Sequence, residues 1–308
     1  MANSKKTAVL LLAHGSPDSV DQVPDFLLRV TGGRPLPQPA VEEVKHRYAL
    51  IGRSPLTELT LKQAELLARE IEMPVYVGMR NWKPFVADAV SAMVADGIEH
   101  AIAICLAPQN SRTSVGLYRS ALATNGTPFT VDFVESWHDH PLLVKAFAEK
   151  LHAGWARACR EAGAKKIPII FTAHSVPERT IADGDPYESQ AKETAQLVAR
   201  DAALAPEDST FAFQSQGMSG GAWLGPRVED TILGLKEKGH PGVFIQPIGF
   251  LCDHVEVLYD IDIGFKDFAE KQGMRLWRAQ SLNDSPLLAA ALADVARSRL
   301  SQSLLTIR

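Results

Sequence analysis

The stretches AVLLLAHGSP (8–17) and PIIFTAHSVP (168–177) decide how this chain is read. Each is an apolar run ending in Ala-His, with a proline three residues after the histidine. A short continuous apolar run bounded by turn residues reads as a strand buried on both faces. Parallel sheets place their ligands at the carboxyl ends of such strands. His14 and His174 therefore stand where a ligand would be met. The recurrence is an accident, a repeated scaffold element, or two halves of one site.

Outward from each motif, β-rich runs alternate with helical periodicity. AVLLLA (8–13), PVYVGM (74–79), AIAICLA (101–107) and FTVDFV (129–134) form one set of strands. PIIFTAH (168–174), FAFQSQ (211–216), GVFIQPIGF (242–250) and the MRLWRAQ region near 273–279 form a second. Between them LTLKQAELLAREIE, PFVADAVSAMVADGI, LLVKAFAEKLHAGWARACREAG and ESQAKETAQLVARDAAL carry apolar residues at spacings of three and four. This alternation predicts an α/β protein of two doubly wound domains, each a four-stranded parallel sheet flanked by helices. The expected division is 1–158 and 159–308, joined near 155–166, with the active cleft between the halves.

Composition narrows the class. The 308 residues are 46% hydrophobic and 22% charged, as in a soluble globular protein. A net charge of −4 without a basic stripe gives no reason to expect nucleic acid. No run of about 18 apolar residues is present to cross a membrane, and the apolar run in MANSKKTAVLLLAHGS is only six residues and leads directly into a polar motif, unlike a signal peptide. Three cysteines, Cys105, Cys159 and Cys252, form no CxxC pair and suit a reducing cytoplasm. They also fall short of the four thiolates of an ordinary iron–sulfur cluster. There is no GxGxxG and no GxxxxGK[ST] to suggest a nucleotide.

Three segments carry chemistry. In FTAHSVPERTIADGDPY, His174 ends a strand and precedes a Pro- and Gly-rich loop, either as a hydrogen-bonded strand-end residue or as a catalytic one. In PIGFLCDHVEVLYDID, a helical reading puts Asp253, Glu256 and Asp260 on one face. Carboxylates gathered so closely need protons or a cation, or else they are a solvated face. In SQGMSGGAW, Gly217, Ser219 and Gly221 match the GxSxG nucleophile elbow. That elbow needs a helix directly after the serine, and GGAWLGP delays one.

Taken together these segments resemble the ferrochelatases. The resemblance runs through RYALIGRSPLTELTLKQA (47–64), GMRNWKPFVADAV (78–90), ESWHDHP (135–141), FTAHSVPERTIADGDPYESQAKETA (171–195), FAFQSQGMSGGAWLGP (211–226) and GFLCDHVEVLYDID (249–262). It absorbs the GxSxG into a QSxxG…WLGP loop. It implies two Rossmann-like domains with a porphyrin cleft, and insertion of Fe2+ into a porphyrin in haem biosynthesis. His174 and Glu256 are then the catalytic pair at the metal point, and Asp260 lies on an outer metal path. Arg47, Tyr48, Ser54 and Tyr118 match porphyrin-contacting positions, and Trp223 a cleft wall. His14 falls where soluble Gram-positive members carry a tyrosine able to ligate iron, so it is a candidate for both porphyrin contact and metal.

There are departures. Thr31 replaces a porphyrin-contacting arginine, with Arg29 or Arg34 nearby to compensate. Gly264 replaces a glutamate of a second metal site in some relatives. Asn81 fills a polar or histidine position after GMR. No cysteine follows Cys252, so no iron–sulfur cluster is expected, and Fe2+ is a substrate rather than a tightly bound cofactor. The segment VTGGRPLPQPAVEEVKHRYALIG is short and polar, like that of members using coproporphyrin III. The four propionates of that porphyrin suit Arg29, Arg34, Arg47 and Arg53; protoporphyrin IX is the other porphyrin. A monomeric cytoplasmic enzyme follows, its partners being porphyrin and ferrous iron. A sirohydrochlorin-type metal chelatase, whose members also open with an AHGS-like strand end, and a non-catalytic tetrapyrrole carrier are the alternatives.

Chemistry fits the pair. Metalation exchanges two pyrrole N–H protons for one Fe2+, and bending the macrocycle exposes its nitrogen lone pairs at the expense of peripheral binding energy. An imidazole, with an ordinary pKa of about 6.5, accepts protons at neutral pH. Imidazole with carboxylate is also a tolerable, weak site for Fe2+.

Overall fold

A computed structural model describes residues 6–217 and 221–305. The chain forms two compact units. The first holds residues 1–108, 114–137 and 283–308, and the second 109–113 and 138–282.

In the first unit, strands β1 (Thr7–Ala13), β2 (Val75–Met79), β3 (His100–Cys105) and β4 (Thr130–Val134) form a parallel sheet in the order β2-β1-β3-β4. Its helices are α1 (Val23–Val30), α2 (Gln38–Ile51), α3 (Leu56–Ile71), α4 (Val86–Ala95) and α5 (Val115–Asn125). Residues Ala8 to Leu12 are wholly buried on both faces of β1, as a central parallel strand requires. Each fully buried leucine there contributes roughly 1.5–3 kcal/mol relative to exposure. On one face β1 and β3 pack through Leu10, Leu12, Ala101 and Ala103 against Val90 and Met93 of α4 and Leu122 of α5.

The second unit begins with α6 (Pro141–Ala162), a helix that runs through the residues expected to join the halves. The anticipated division at 158/159 falls inside it. Its apolar residues, among them Leu143, Phe147 and Leu151, are buried, so the segment is part of a core and not a connector. Strands β5 (Ile169–His174), β6 (Ser209–Gln214), β7 (Gly242–Pro247) and β8 (Arg275–Arg278) follow, parallel and in the order β6-β5-β7-β8. The helices are α7 (Glu178–Ala182), α8 (Tyr187–Asp201), α9 (Val228–Glu237), α10 (Val255–Leu258) and α11 (Lys266–Lys271). α12 (Pro286–Leu305) belongs to the first unit, where Gln63 Nε2 donates to the Asn283 carbonyl (2.6 Å) and Arg297 to that of Glu70 (2.6 Å).

Each sheet takes its four strands in the same permutation, second-first-third-fourth. The repeat read from AHxxP is therefore a repeat of topology. β1 and β5 are the strands flanked on one side by the second and on the other by the third of their set. That is the switch point at whose carboxyl end doubly wound folds bind ligands.

Candidate active site

In the second unit His174 is the last residue of β5, in register with Gln214 of β6. Its Nδ1 is bonded to the Ser175 carbonyl. A carbonyl only accepts, so Nδ1 carries the proton and the lone pair of the neutral ring is at Nε2. Nε2 faces Glu256 Oε2 at 3.7 Å, and both side chains are about one-third exposed. From behind, Tyr187 Oη donates to the His174 carbonyl (3.0 Å). Burial, then the nearby Glu256 charge, push the Tyr187 phenol far up, so it stays a neutral donor.

Glu256 has a second imidazole beside it. His254 Nε2 lies 3.8 Å from Glu256 Oε2, and its Nδ1 is 2.9 Å from the Cys252 carbonyl. Burial draws His254 towards the neutral form. Glu256, the Cys252 carbonyl and Asp260 outweigh it, so its pKa lies above the ordinary value. Phe250 meets the ring of His254 edge-on at 4.7 Å and that of His174 at 6.5 Å. Sequence reasoning passed over His254, Phe250 and Tyr187. The one visible signal was the placement of His254 two residues before Glu256.

The acidic segment does not form the expected single ladder. Asp253 precedes α10 and accepts from Ser281 Oγ (2.7 Å) while lying 3.3 Å from Arg278 Nη1. Arg278 also grips Asp262 with two bonds of 2.8 Å. A single protein cation is thus shared by Asp253 and Asp262, leaving Glu256 and Asp260 on the side of the strand ends. After α10 the helix widens into a π turn over Asp260–Phe265, seen in the bond from Gly264 N to the Tyr259 carbonyl (2.8 Å). Such turns are frequent at functional sites.

The end of β6 clasps this segment. Gln214 Nε2 donates to the Glu256 carbonyl (3.0 Å), and Ser215 Oγ donates to Asp260. Ser215 reaches Asp260 from a left-handed conformation (φ +59°), which is costly for a residue with a Cβ. Trp223 lies in the strand-like segment 222–224, bridged to Pro177, with Leu224 N bonded to the Val176 carbonyl (3.0 Å). Its ring lies over Gly217, where a Cβ would come within 2.7 Å of it. The GxSxG serine, Ser219, lies outside the described residues.

In the first unit His14 follows β1 directly. Its Nδ1 is 3.0 Å from the Gly15 carbonyl and its Nε2 3.0 Å from Asn81 Nδ2. Phe26 packs edge-on to it at 5.8 Å and to Tyr48 at 6.4 Å. Tyr48 is buried, its hydroxyl 3.1 Å from Ser16 Oγ, so His14 and Tyr48 share one small cluster. Ser54 is buried at the turn before α3, and Tyr118 is buried on α5 with the Arg80 guanidinium 5.9 Å from its ring. Burial lowers the pKa of Arg80, and its Nε has no hydrogen-bond partner.

The arginines expected to meet propionates are each in local contact. Arg47 bonds Glu43 (3.0 Å), Arg53 bonds Glu58 (3.3 Å), Arg34 Nε bonds the Thr31 carbonyl (3.3 Å), and Arg29 stacks on Phe85 at 4.7 Å. The Thr31 hydroxyl is engaged by the carbonyls of Leu27 and Leu28 at the end of α1 and by that of Arg34.

Among the described residues no helix is long and apolar enough to cross a membrane. Cys105 and Cys252 are buried and Cys159 is half-buried.

Comparison with known proteins gives a consistent result. The family model described as Ferrochelatase matches residues 6–300. The ferrochelatase of Acidobacterium capsulatum is 54% identical, over 97% of this chain and 96% of that one. That of Deinococcus radiodurans is 37% identical over 98% of both. The coproporphyrin III ferrochelatase of Geobacillus kaustophilus is 36% identical over 97% of this chain and 98% of its own. Among solved structures, the sirohydrochlorin chelatase SirB from Bacillus subtilis subspecies spizizenii, in complex with cobalt, superposes with a TM-score of 0.59 at 10% identity, covering 94% and 93% of the two chains. CbiX, the terminal enzyme for siroheme biosynthesis in denitrifying bacteria, gives 0.53 at 14% identity, covering 94% and 98%. At these identities the structural likeness is one of fold.

Proposed function

The chain belongs to the ferrochelatase family, enzymes that insert Fe2+ into a porphyrin in haem biosynthesis, and on that premise we propose coproporphyrin III as its substrate and His174 with Glu256 as its catalytic pair. Two lines support the porphyrin: the short polar segment at 30–52, and full-length relatives at about 36% identity named for coproporphyrin III. Arg47, Tyr48, Ser54, Tyr118, His14 and Trp223 are proposed to contact it. The enzyme is proposed to be a monomer in the cytoplasm.

The observation that carries the catalytic reading is the 3.7 Å approach of His174 Nε2 to Glu256 Oε2 at the end of β5. Porphyrin and Fe2+ give iron porphyrin and two protons. The Ser175 carbonyl holds the proton of His174 on Nδ1, so Nε2 is the atom open to a pyrrole proton. A proton gained there faces the Glu256 carboxylate, which stabilises the imidazolium that forms. Glu256 in turn stands between two imidazoles, so a proton can be shared towards His254 without leaving the carboxylate unpaired. The same imidazole and carboxylate are acceptable, weak donors to Fe2+ on its way in. Asp260, set by Ser215, is proposed as the next carboxylate outward on that path.

The test supplies Fe2+ with coproporphyrin III and with protoporphyrin IX in separate anaerobic assays and follows the Soret band. Faster turnover of coproporphyrin III is expected; faster turnover of protoporphyrin IX overturns the proposed preference.

A further inference from the structure

The two AHxxP histidines are held alike at one nitrogen and differently at the other. Each Nδ1 meets the carbonyl of the next residue, Gly15 or Ser175. Nε2 of His174 faces a carboxylate beyond hydrogen-bond distance, whereas Nε2 of His14 lies 3.0 Å from the side-chain amide nitrogen of Asn81. An amide nitrogen only donates. His14 Nε2 is therefore the acceptor, and Nδ1–H donates to Gly15.

We infer that Asn81 is a positioning residue that caps the Nε2 lone pair of His14 and competes for it with the iron of the porphyrin. The inference rests on the proposed contact of His14 with iron and adds what limits that contact. Iron-ligating histidines usually donate their other ring N–H to a carbonyl, which orients the ligating nitrogen and raises its basicity. Gly15 supplies that carbonyl, so Nε2 is the nitrogen prepared for a metal. Asn81 occupies the same lone pair.

Asn81 is itself firmly placed. The residue is 1% exposed, and its backbone N–H donates to the His14 carbonyl (3.0 Å) just beyond the β1–β2 ladder, next to the bond from Arg80 N to Ala13 O (2.9 Å). Gly15 makes this approach possible. It has φ +84°, and a Cβ there would lie 2.8 Å from Trp82 N. The edge of Phe26 fixes the ring from a third side. When His14 turns its lone pair to iron, a buried amide N–H loses its acceptor, and an unsatisfied buried donor is costly. The cap therefore makes His14 a weak, releasable ligand, as suits an enzyme that must let its iron product go.

The test uses the full chain. In 15N-histidine NMR of the ligand-free protein, the signal lost in His14→Phe should be that of a neutral ring protonated at Nδ1. Preformed iron coproporphyrin III is then titrated into wild type, Asn81→Leu, His14→Phe and the double variant, with the iron–imidazole stretch read by resonance Raman. Asn81→Leu keeps the bulk and removes the donor. It should bind about tenfold tighter, release more slowly and strengthen the iron–imidazole band. The double variant should lose both gains. Asn81→Ala is carried alongside, with thermal melts, in case leucine disturbs the fold. An Nε2-protonated His14, or an unchanged affinity and band in both Asn81 variants while His14→Phe still alters them, overturns the cap but leaves the His14–iron contact standing. If His14→Phe changes neither in any background, the contact itself falls, and the cap with it.

Discussion

His174 Nε2 and Glu256 Oε2 stand 3.7 Å apart, with the other nitrogen of the ring tied to the Ser175 carbonyl. The gap is too long for a hydrogen bond and short enough for a charge on either partner to be felt by the other. A base that must take a proton and give it up again gains from such spacing. A tight ion pair would hold the imidazolium.

Replacing His174 by alanine should abolish measurable insertion, in keeping with the 10²–10⁴-fold that a positioned base contributes. The circular dichroism spectrum and melting temperature should stay close to wild type, because the side chain is one-third exposed. Glu256→Gln should cut kcat strongly while porphyrin binding, followed by fluorescence quenching, is kept. Near-normal turnover by either folded variant would remove that residue from the mechanism.

Tyr187→Phe tests the support behind the histidine. The variant loses the bond from Oη to the His174 carbonyl and leaves a buried acceptor short of a partner. Stability should fall by about 1–3 kcal/mol in urea unfolding. kcat should drop more than KM changes, because the buried phenol acts through the strand end that carries His174. Equal losses in both constants would point to general disorder of the site.

Ser215 separates backbone cost from hydroxyl gain. Ser215→Ala loses the bond to Asp260 and keeps a Cβ in the left-handed region, while Ser215→Gly loses the bond and relieves the backbone. The glycine variant should be more stable than the alanine variant by about 1 kcal/mol. Both should show reduced activity if Asp260 is on the metal path, and equal melting temperatures would refute the strain.

The segments leading into β5 and β6 offer a pH test remote from the chemistry. The Lys166 ammonium, bonded at 2.6 Å, and then the Ala205 N–H hold Asp208 below its ordinary pKa. A depressed carboxylate contributes stability that is complete above its unfolded value of about 3.9 and is lost as pH falls through the lower folded value. Asp208→Asn should thus be less stable than wild type at pH 7, by no more than about 1 kcal/mol given the exposed lysine. The difference should close as pH falls below about 4. A gap that persists in strong acid would assign it to packing instead.

All eight strands were legible, because β1, β3, β5 and β7 are apolar on both faces and the rest are bounded by Gly, Pro or polar turns. The repeat was legible too, since the same Ala-His ends the first strand of each set. What depended on distant partners was not. α6 reads as helix, yet nothing local says that it belongs to the second unit. The even spacing of Asp253, Glu256 and Asp260 suggested one face until Arg278, from β8, claimed Asp253 and Asp262. Asn81 showed only as a departure after GMR; that its amide meets His14 depends on the register Ala13↔Met79 between strands far apart in sequence.

The placement of α12 bears on how the protein is made. Leu288, Ala291, Leu292 and Ala296 of that helix are wholly buried, and Gln63 and Arg297 tie it to the region of α3. During vectorial synthesis the sheet carrying His14 is complete by residue 134, yet this part of its cover leaves the ribosome only after residues 138–282 have emerged. The half of the chain that begins first is therefore finished last. The half that holds His174 and Glu256 can reach its native packing while its neighbour still waits, and a translational stall near residue 285 would leave an apolar face on the nascent chain for a chaperone to cover.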